Sequence, residues 1–144
     1  MRKTWIVSIV FLSACHSTAS AETTTFLNRK ITPGAINIRI TQSNIHKTIC
    51  IPGYTKTVRA PVNYTEKLKR QGLIQYHFTG KIKDYEEDHL IPLELGGSNS
   101  PKNLWPQPHS QSFRKDALEN NLHSKVCSGA LSLTSAQNKI IVGW

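Results

Sequence analysis

Asp88 and His89 stand side by side ahead of an apolar run, Leu90-Ile91-Pro92-Leu93, and Asn103 opens a second short segment, Leu104-Trp105-Pro106. Between them lies a loop rich in Gly, Ser and Asn. A carboxylate, an imidazole and an amide in this order are the parts that metal-assisted hydrolysis needs. Asp88 is a hard oxygen donor for a small divalent cation. His89, with an unperturbed pKa of about 6.5, is mostly neutral at pH 7 and can take a proton from an attacking water. The Asn103 amide can accept and donate at once, so it can brace the loop and keep the histidine oriented.

These three need a scaffold. Residues 88–93 read as extended, 94–102 as a loop and 103–105 as a returning strand. Ser110 then caps a helix over 111–126, with Ala117, Leu118 and Leu122 on its apolar face. Neighbouring strand side chains point to opposite faces, so Asp88 and His89 serve one site only if the backbone bends there. On the helix, Asp116, Glu119 and His123 fall at i, i+3 and i+7 and can share a face. Asp116 and Glu119 would suit Mg2+ or Mn2+, whereas His109 would favour Zn2+ or Ni2+. Arg114 and Lys115, near the helix start, are the candidate phosphate contacts. Trp105 reads as core.

Upstream, Ile36, Ile38 and Ile40 alternate with polar residues and predict a half-buried strand. Thr48-Ile49-Cys50-Ile51 is a second short apolar stretch. Asn63 would cap a helix over 64–71 that Gly72 stops, and residues 73–78 suggest another strand. Thr134-Ser135-Ala136-Gln137 is a capping box for a last helix through Val142. The expected fold is α+β: a small single domain over 33–144, built on strand–loop–strand–helix with N-terminal strands and flanking helices.

The stretch Asp88-His89-Leu90-Ile91-Pro92-Leu93-Glu94-Leu95-Gly96-Gly97, followed by Asn103-Leu104-Trp105-Pro106, resembles the HNH, or ββα-metal, nucleases. It matches the branch reading Asp-His-x-x-Pro-Leu-x-x-Gly-Gly before Asn-Leu-Trp-Pro. The likeness to exported bacterial members extends to Thr48–Gly53, Lys115–Asn120 and Val126-Cys127. It implies a ββα-metal core, with Asp88 holding one divalent ion, His89 activating water and Asn103 in the middle-Asn role. It also implies a backbone bend at the Asp88-His89 pair. Many members carry a His or Asn on the helix about nine positions past that Asn. Here the position is Ser112, a poor ligand, which leaves Asp116 and Glu119 as the nearby hard donors.

The formal charge is +9, with 18 Lys and Arg against 9 Asp and Glu. Such an excess fits a polyanionic partner, since bound Lys and Arg release counterions from phosphates, and fits an anionic membrane surface nearly as well; the partner expected is nucleic acid, DNA ahead of RNA. Met1-Arg2-Lys3, the apolar run to Ala14 and Ala19-Ser20-Ala21 read as a signal peptide over 1–21. Leu12-Ser13-Ala14-Cys15 also looks like a lipobox, which would end the signal at residue 14 and leave a lipid anchor on Cys15. Residues 22–32 read as a loose lead-in. Either route predicts export to the periplasm or beyond, no transmembrane segment in the mature chain, and a monomer.

Two cysteines then remain, Cys50 and Cys127. In an exported domain they are most simply a disulfide, whose long loop would contribute about 3–4 kcal/mol. Zinc ligation is the weaker reading, because neither has a Cys or His partner in a C-x-x-C or similar pattern. The function expected is a metal-dependent endonuclease of low sequence preference. The alternative is a basic nucleic-acid-binding or envelope lipoprotein module that keeps the fold without the chemistry.

Overall fold

A computed structural model describes residues 27–144. The expected signal, the lipobox and the first part of the lead-in lie outside them. The described chain is α+β, in the order α1 (Tyr54–Val58), α2 (Val62–Gln75), β1 (Tyr85–His89), β2 (Leu104–Pro108), α3 (His109–Cys127) and α4 (Leu133–Gly143).

β1 and β2 form an antiparallel pair running from Tyr85↔Pro108 to His89↔Leu104. Pro106 and Pro108 share one parity on β2, so their missing N–H groups fall on the outer edge and leave the ladder to β1 intact. That edge is closed to a third strand. α2 packs against both strands and α3 against β2. Leu122 and Val126 of α3, Ala136 and Ile140 of α4, and Ile40, Ile45, Ile49, Ile91 and Leu95 make one buried core. Cys50 and Cys127 are bonded at its edge, with their Cα atoms 5.6 Å apart. No helix among the described residues is long and apolar enough to cross a membrane.

The expected N-terminal strands are corrected. Ile38 is 84% exposed and only Ile40 of the alternating trio is buried, so the alternation does not mark a sheet face. Residues 34–37 spend their backbone bonds on the β1–β2 loop instead: Gly34 donates to Lys102, Asn37 to Gly96, and Ser98 to Ala35. Ile36 makes a single bridge to Gly97, and Gln42–Lys47 is a 3-10 helix.

The expected stop at Gly72 is also corrected, and with it the strand over 73–78. α2 runs through Gly72, which faces β2, and a Cβ there would lie 2.7 Å from Pro106 Cδ. Glycine serves close helix–strand approach here, not termination. The helix begins at Val62, ahead of Asn63, and ends beyond Leu73 and Ile74. The last helix is capped by Ser132, whose hydroxyl accepts from the Ser135 N–H at 3.1 Å, two residues earlier than the Thr134 box implied.

Candidate functional site

The loop between β1 and β2 is held from inside by Asn103. Its Oδ1 accepts from the Ile91 N–H at 2.9 Å and the Ala35 N–H at 3.2 Å. Its Nδ2 donates to the Ile91 and Ser98 carbonyls, both at 2.9 Å. The residue is fully buried. Both ends of the amide are engaged, so Asn103 braces the loop and does not face the cleft described below. Gly97 permits this closure, since a Cβ there would overlap the Ile91 carbonyl.

His89 ends β1 and is 3% exposed. Its Nε2 lies 2.8 Å from Asn99 Oδ1, and Asn99 Nδ2 donates to the Val58 carbonyl at 2.7 Å. The Val58 carbonyl can only accept, so the Asn99 oxygen must face the ring. Nε2 therefore carries the proton and Nδ1 keeps its lone pair. Burial lowers the His89 pKa, opposed by the Asn99 bond and by Asp88, while Arg59 and Lys115 lower it further. At neutral pH the ring is a neutral base.

Past His89 the chain leaves the strand, and Asp88 and His89 both line one cleft of about 80 Å³. Thr55, Arg59, Glu94 and Glu119 complete its polar wall, over Pro92 and Leu93. Glu94 Oε1 is buried with no hydrogen-bond partner among the described residues. Burial raises the Glu94 pKa, against the nearby His123 and Lys115 and with Asp116 adding to it.

Lys115 closes the inner side. Its side chain is fully buried, and Nζ lies 2.6 Å from Asp88 Oδ2 in an ion pair without hydrogen-bond alignment. It also donates to the His89 carbonyl at 2.8 Å and to Glu119 Oε1, one helical turn along α3. Burial pulls the Lys115 pKa down, but Asp88 and Glu119 more than offset this and hold the ammonium. Glu119 is pushed up to about 7, first by burial and then by Asp88, with Lys115 opposing. Two carboxylates share one internal cation.

The expected site residues thus divide. Asp88, His89 and Glu119 meet at the cleft, with Asn103 behind them. Lys115, expected to reach a phosphate from the helix surface, instead points inward. Asp116 is exposed and bears on the cleft only through the charge it presents to Glu94. Arg114 lies over the Trp144 ring, 5.8 Å from its centroid, and does not line the cleft. His109 pairs with Glu86 at 3.9 Å, and Ser112 donates to Glu86 at 2.5 Å. Trp105 is fully buried.

Three residues had no sequence signal that singled them out. Asn99 sits in the loop among other polar residues, Glu94 stands between Leu93 and Leu95, and Arg59 comes from the end of α1, far upstream of the motif. Among the described residues, the only three His, Cys, Asp or Glu ligand atoms within 4.8 Å of one another belong to Cys50, His123 and Cys127. Comparison with protein-family models, curated proteins and solved structures finds no match to this chain.

Proposed function

We propose that this protein is an exported, metal-dependent endonuclease of the HNH type, hydrolysing nucleic acid, DNA in preference to RNA, with little sequence preference. The observation that carries this reading is the neutral His89, turned by Asn99 so that Nδ1 is its free lone pair, in a cleft it shares with Asp88. The succession β1, clamped loop, β2 and α3 fits a ββα-metal core. The basic charge fits a polyanion, and the Cys50–Cys127 bond fits an oxidising compartment.

The donor set fits a hard divalent ion, Mg2+ or Mn2+ ahead of Zn2+ or Ni2+. Asp88 and Glu94 would hold it, since Glu94 offers a buried oxygen without a partner. Glu119, which shares the Lys115 ammonium with Asp88, is a third carboxylate on the same cleft. So few protein donors would leave several waters on the ion, as Mg2+ tolerates. When bound, the ion would supply positive charge to the phosphate and the leaving oxygen. His89 Nδ1 takes the proton of the attacking water, and Asn99 keeps the ring in the required tautomer. Lys115 fixes Asp88 from behind, and Arg59 offers a guanidinium at the mouth of the cleft for a phosphate oxygen.

A second reading, a basic binding module without chemistry, is favoured by one feature: the Lys115 ammonium already neutralises part of the carboxylate group. Plasmid nicking across several divalent ions, with EDTA as control, separates the two. EDTA-sensitive nicking is expected. DNA retention without cleavage in any ion would support the second reading instead. His89→Ala should lower the chemical step about 10²–10⁴-fold with metal affinity nearly unchanged. Asp88→Ala should lose activity and metal binding together. Loss of metal binding in His89→Ala, with activity restored at high metal, would make His89 a ligand.

A further inference from the structure

Cys50 and Cys127 have a third partner that the expected disulfide leaves without a role. His123 precedes Cys127 by one helical turn on α3, and its Nε2 lies 3.3 Å from Cys127 Sγ. The same nitrogen lies 2.9 Å from the Ile49 carbonyl, so the residue next to Cys50 also fixes the ring. The two sulfurs and Nε2 lie within 4.8 Å of one another, and all three side chains are only partly buried. The histidine that the sequence did not offer beside either cysteine comes from the i, i+4 spacing on one helix face.

We propose that the reduced form of this protein binds one thiophilic metal ion, Zn2+ or Cu+ in class, through Cys50, Cys127 and His123. The spacing supports it. Bonds of about 2.3 Å to sulfur and about 2.0 Å to imidazole nitrogen, near tetrahedral angles, place S and N roughly 3.3–3.6 Å apart. The His123–Cys127 pair already has that separation. Two sulfurs released from their mutual bond need only part to a similar distance. Thiolates with imidazole select such ions over Mg2+ or Ca2+, so this centre and the Asp88 cleft would not compete for one metal.

The chemistry balances with a dithiol as reductant. It supplies two electrons and two protons, the Cys50–Cys127 bond breaks to two thiols, and the dithiol becomes a disulfide. Binding a divalent ion then displaces the two thiol protons to solvent. His123 enters neutral, its ring proton moving from Nε2 to Nδ1 through water and its bond to the Ile49 carbonyl given up, so Nε2 can ligate. The Cys50–Cys127 tether is thereby kept in a reducing medium, with a metal bridge in place of the covalent one.

Cobalt(II) is the probe. Full-length mature protein is prepared with its disulfide, reduced with a phosphine under argon and titrated with Co2+. A thiolate-to-cobalt charge-transfer band saturating at one equivalent, and lost on adding Zn2+, is expected from the reduced protein and not from the oxidised one. Oxygen donors in the Asp88 cleft give no such band, so failure here is distinct from failure of the nuclease reading. His123→Gln, which keeps both cysteines, should weaken the ion at least tenfold. Equimolar Zn2+ should raise the thermal midpoint of the reduced wild type and not that of the variant. If the reduced chain unfolds and Zn2+ restores its near-UV circular dichroism, the proposal also stands. No thiolate band, equal affinity in His123→Gln, or an unfolded reduced chain that Zn2+ does not rescue would each overturn it.

Discussion

On the α3 side of β1, Asp88 meets the Lys115 ammonium at 2.6 Å, and Glu86 accepts from Ser112 at 2.5 Å and from Gln107 at 3.4 Å. On the α2 side, the neighbouring Glu87 has a buried Oε2 with no hydrogen-bond partner among the described residues. Its pKa is pushed up to about 8, first by burial, against Lys69 and with Asp88 and Glu66 adding. Acids one position apart on a strand therefore meet opposite surroundings, because alternate side chains face different helices. One face gives the acid a cation from the next helix. The other buries it, in a pocket it lines with Gly72 and Tyr76, where Lys69 only partly offsets the burial, and so favours its neutral form. The cation that α3 carries inward does not decide every acid it meets: at Glu119, burial outweighs the same ammonium and raises the pKa to about 7.

Removing the cation should break this contrast most strongly. Lys115→Ala leaves Asp88 and Glu119 facing each other without compensation, and loss of one partner from a buried ion pair costs about 3–5 kcal/mol. Urea unfolding should show it. An unchanged midpoint would mean that Lys115 can be spared and the carboxylates stand alone.

On the other face, Gly72→Ala should destabilise by about 1–3 kcal/mol. The new methyl meets the rigid Pro106 ring, and overpacking outweighs the gain in helix propensity. Thermal unfolding of the variant checks this. A gain in stability would show that α2 can lift away from β2 without cost.

The smallest effect sharpens the comparison. The folded-state pKa of Glu87 lies above its ordinary value of 4.5. Its contribution is therefore fully present below about 4.5 and is lost as pH rises to about 8. Glu119 acts in the same direction up to about 7. Glu87→Gln should be close to wild type at pH 4 and more stable than it at pH 9. Denaturant midpoints at the two pH values decide it. A constant difference between them would mean that the folded state does not raise the Glu87 pKa.

Asp88, His89 and Asn103 were legible in the sequence, whereas Glu94 and Asn99 in the loop between them, and Arg59 and the inward turn of Lys115 from further off, were not. Pairing of Tyr85–His89 with Leu104–Pro108 follows from the motif and its loop, although both strands are displaced by a few residues from the expected limits. The bracing role of Asn103 follows from what a carboxamide can bond. The disulfide follows from two cysteines in a domain expected to be exported. Lys115 was misplaced because a lysine beside Arg114 near a helix start reads as solvated. The i, i+4 spacing to Glu119 was the available sign of a pair, but nothing marked which helix face turns inward. The alternation of Ile36, Ile38 and Ile40 misled because period 2 records only a pattern, and a strand also needs a partner with free backbone groups. Gly72 misled because the residue that ends helices is also the one that lets them touch a strand.

Asn103 sets a limit on how this chain can vary. Four backbone groups depend on one carboxamide, two as donors and two as acceptors. A single nucleotide change at an asparagine codon yields Asp, His, Ser, Thr, Tyr, Ile or Lys. Aspartate would set a second oxygen against the Ile91 and Ser98 carbonyls. Serine and threonine are too short to span both sides, histidine and tyrosine are too broad, isoleucine bonds none of the four, and lysine has no acceptor. No one-step replacement keeps the loop closed, so any drift at this codon must pass through a form whose cleft has lost its floor.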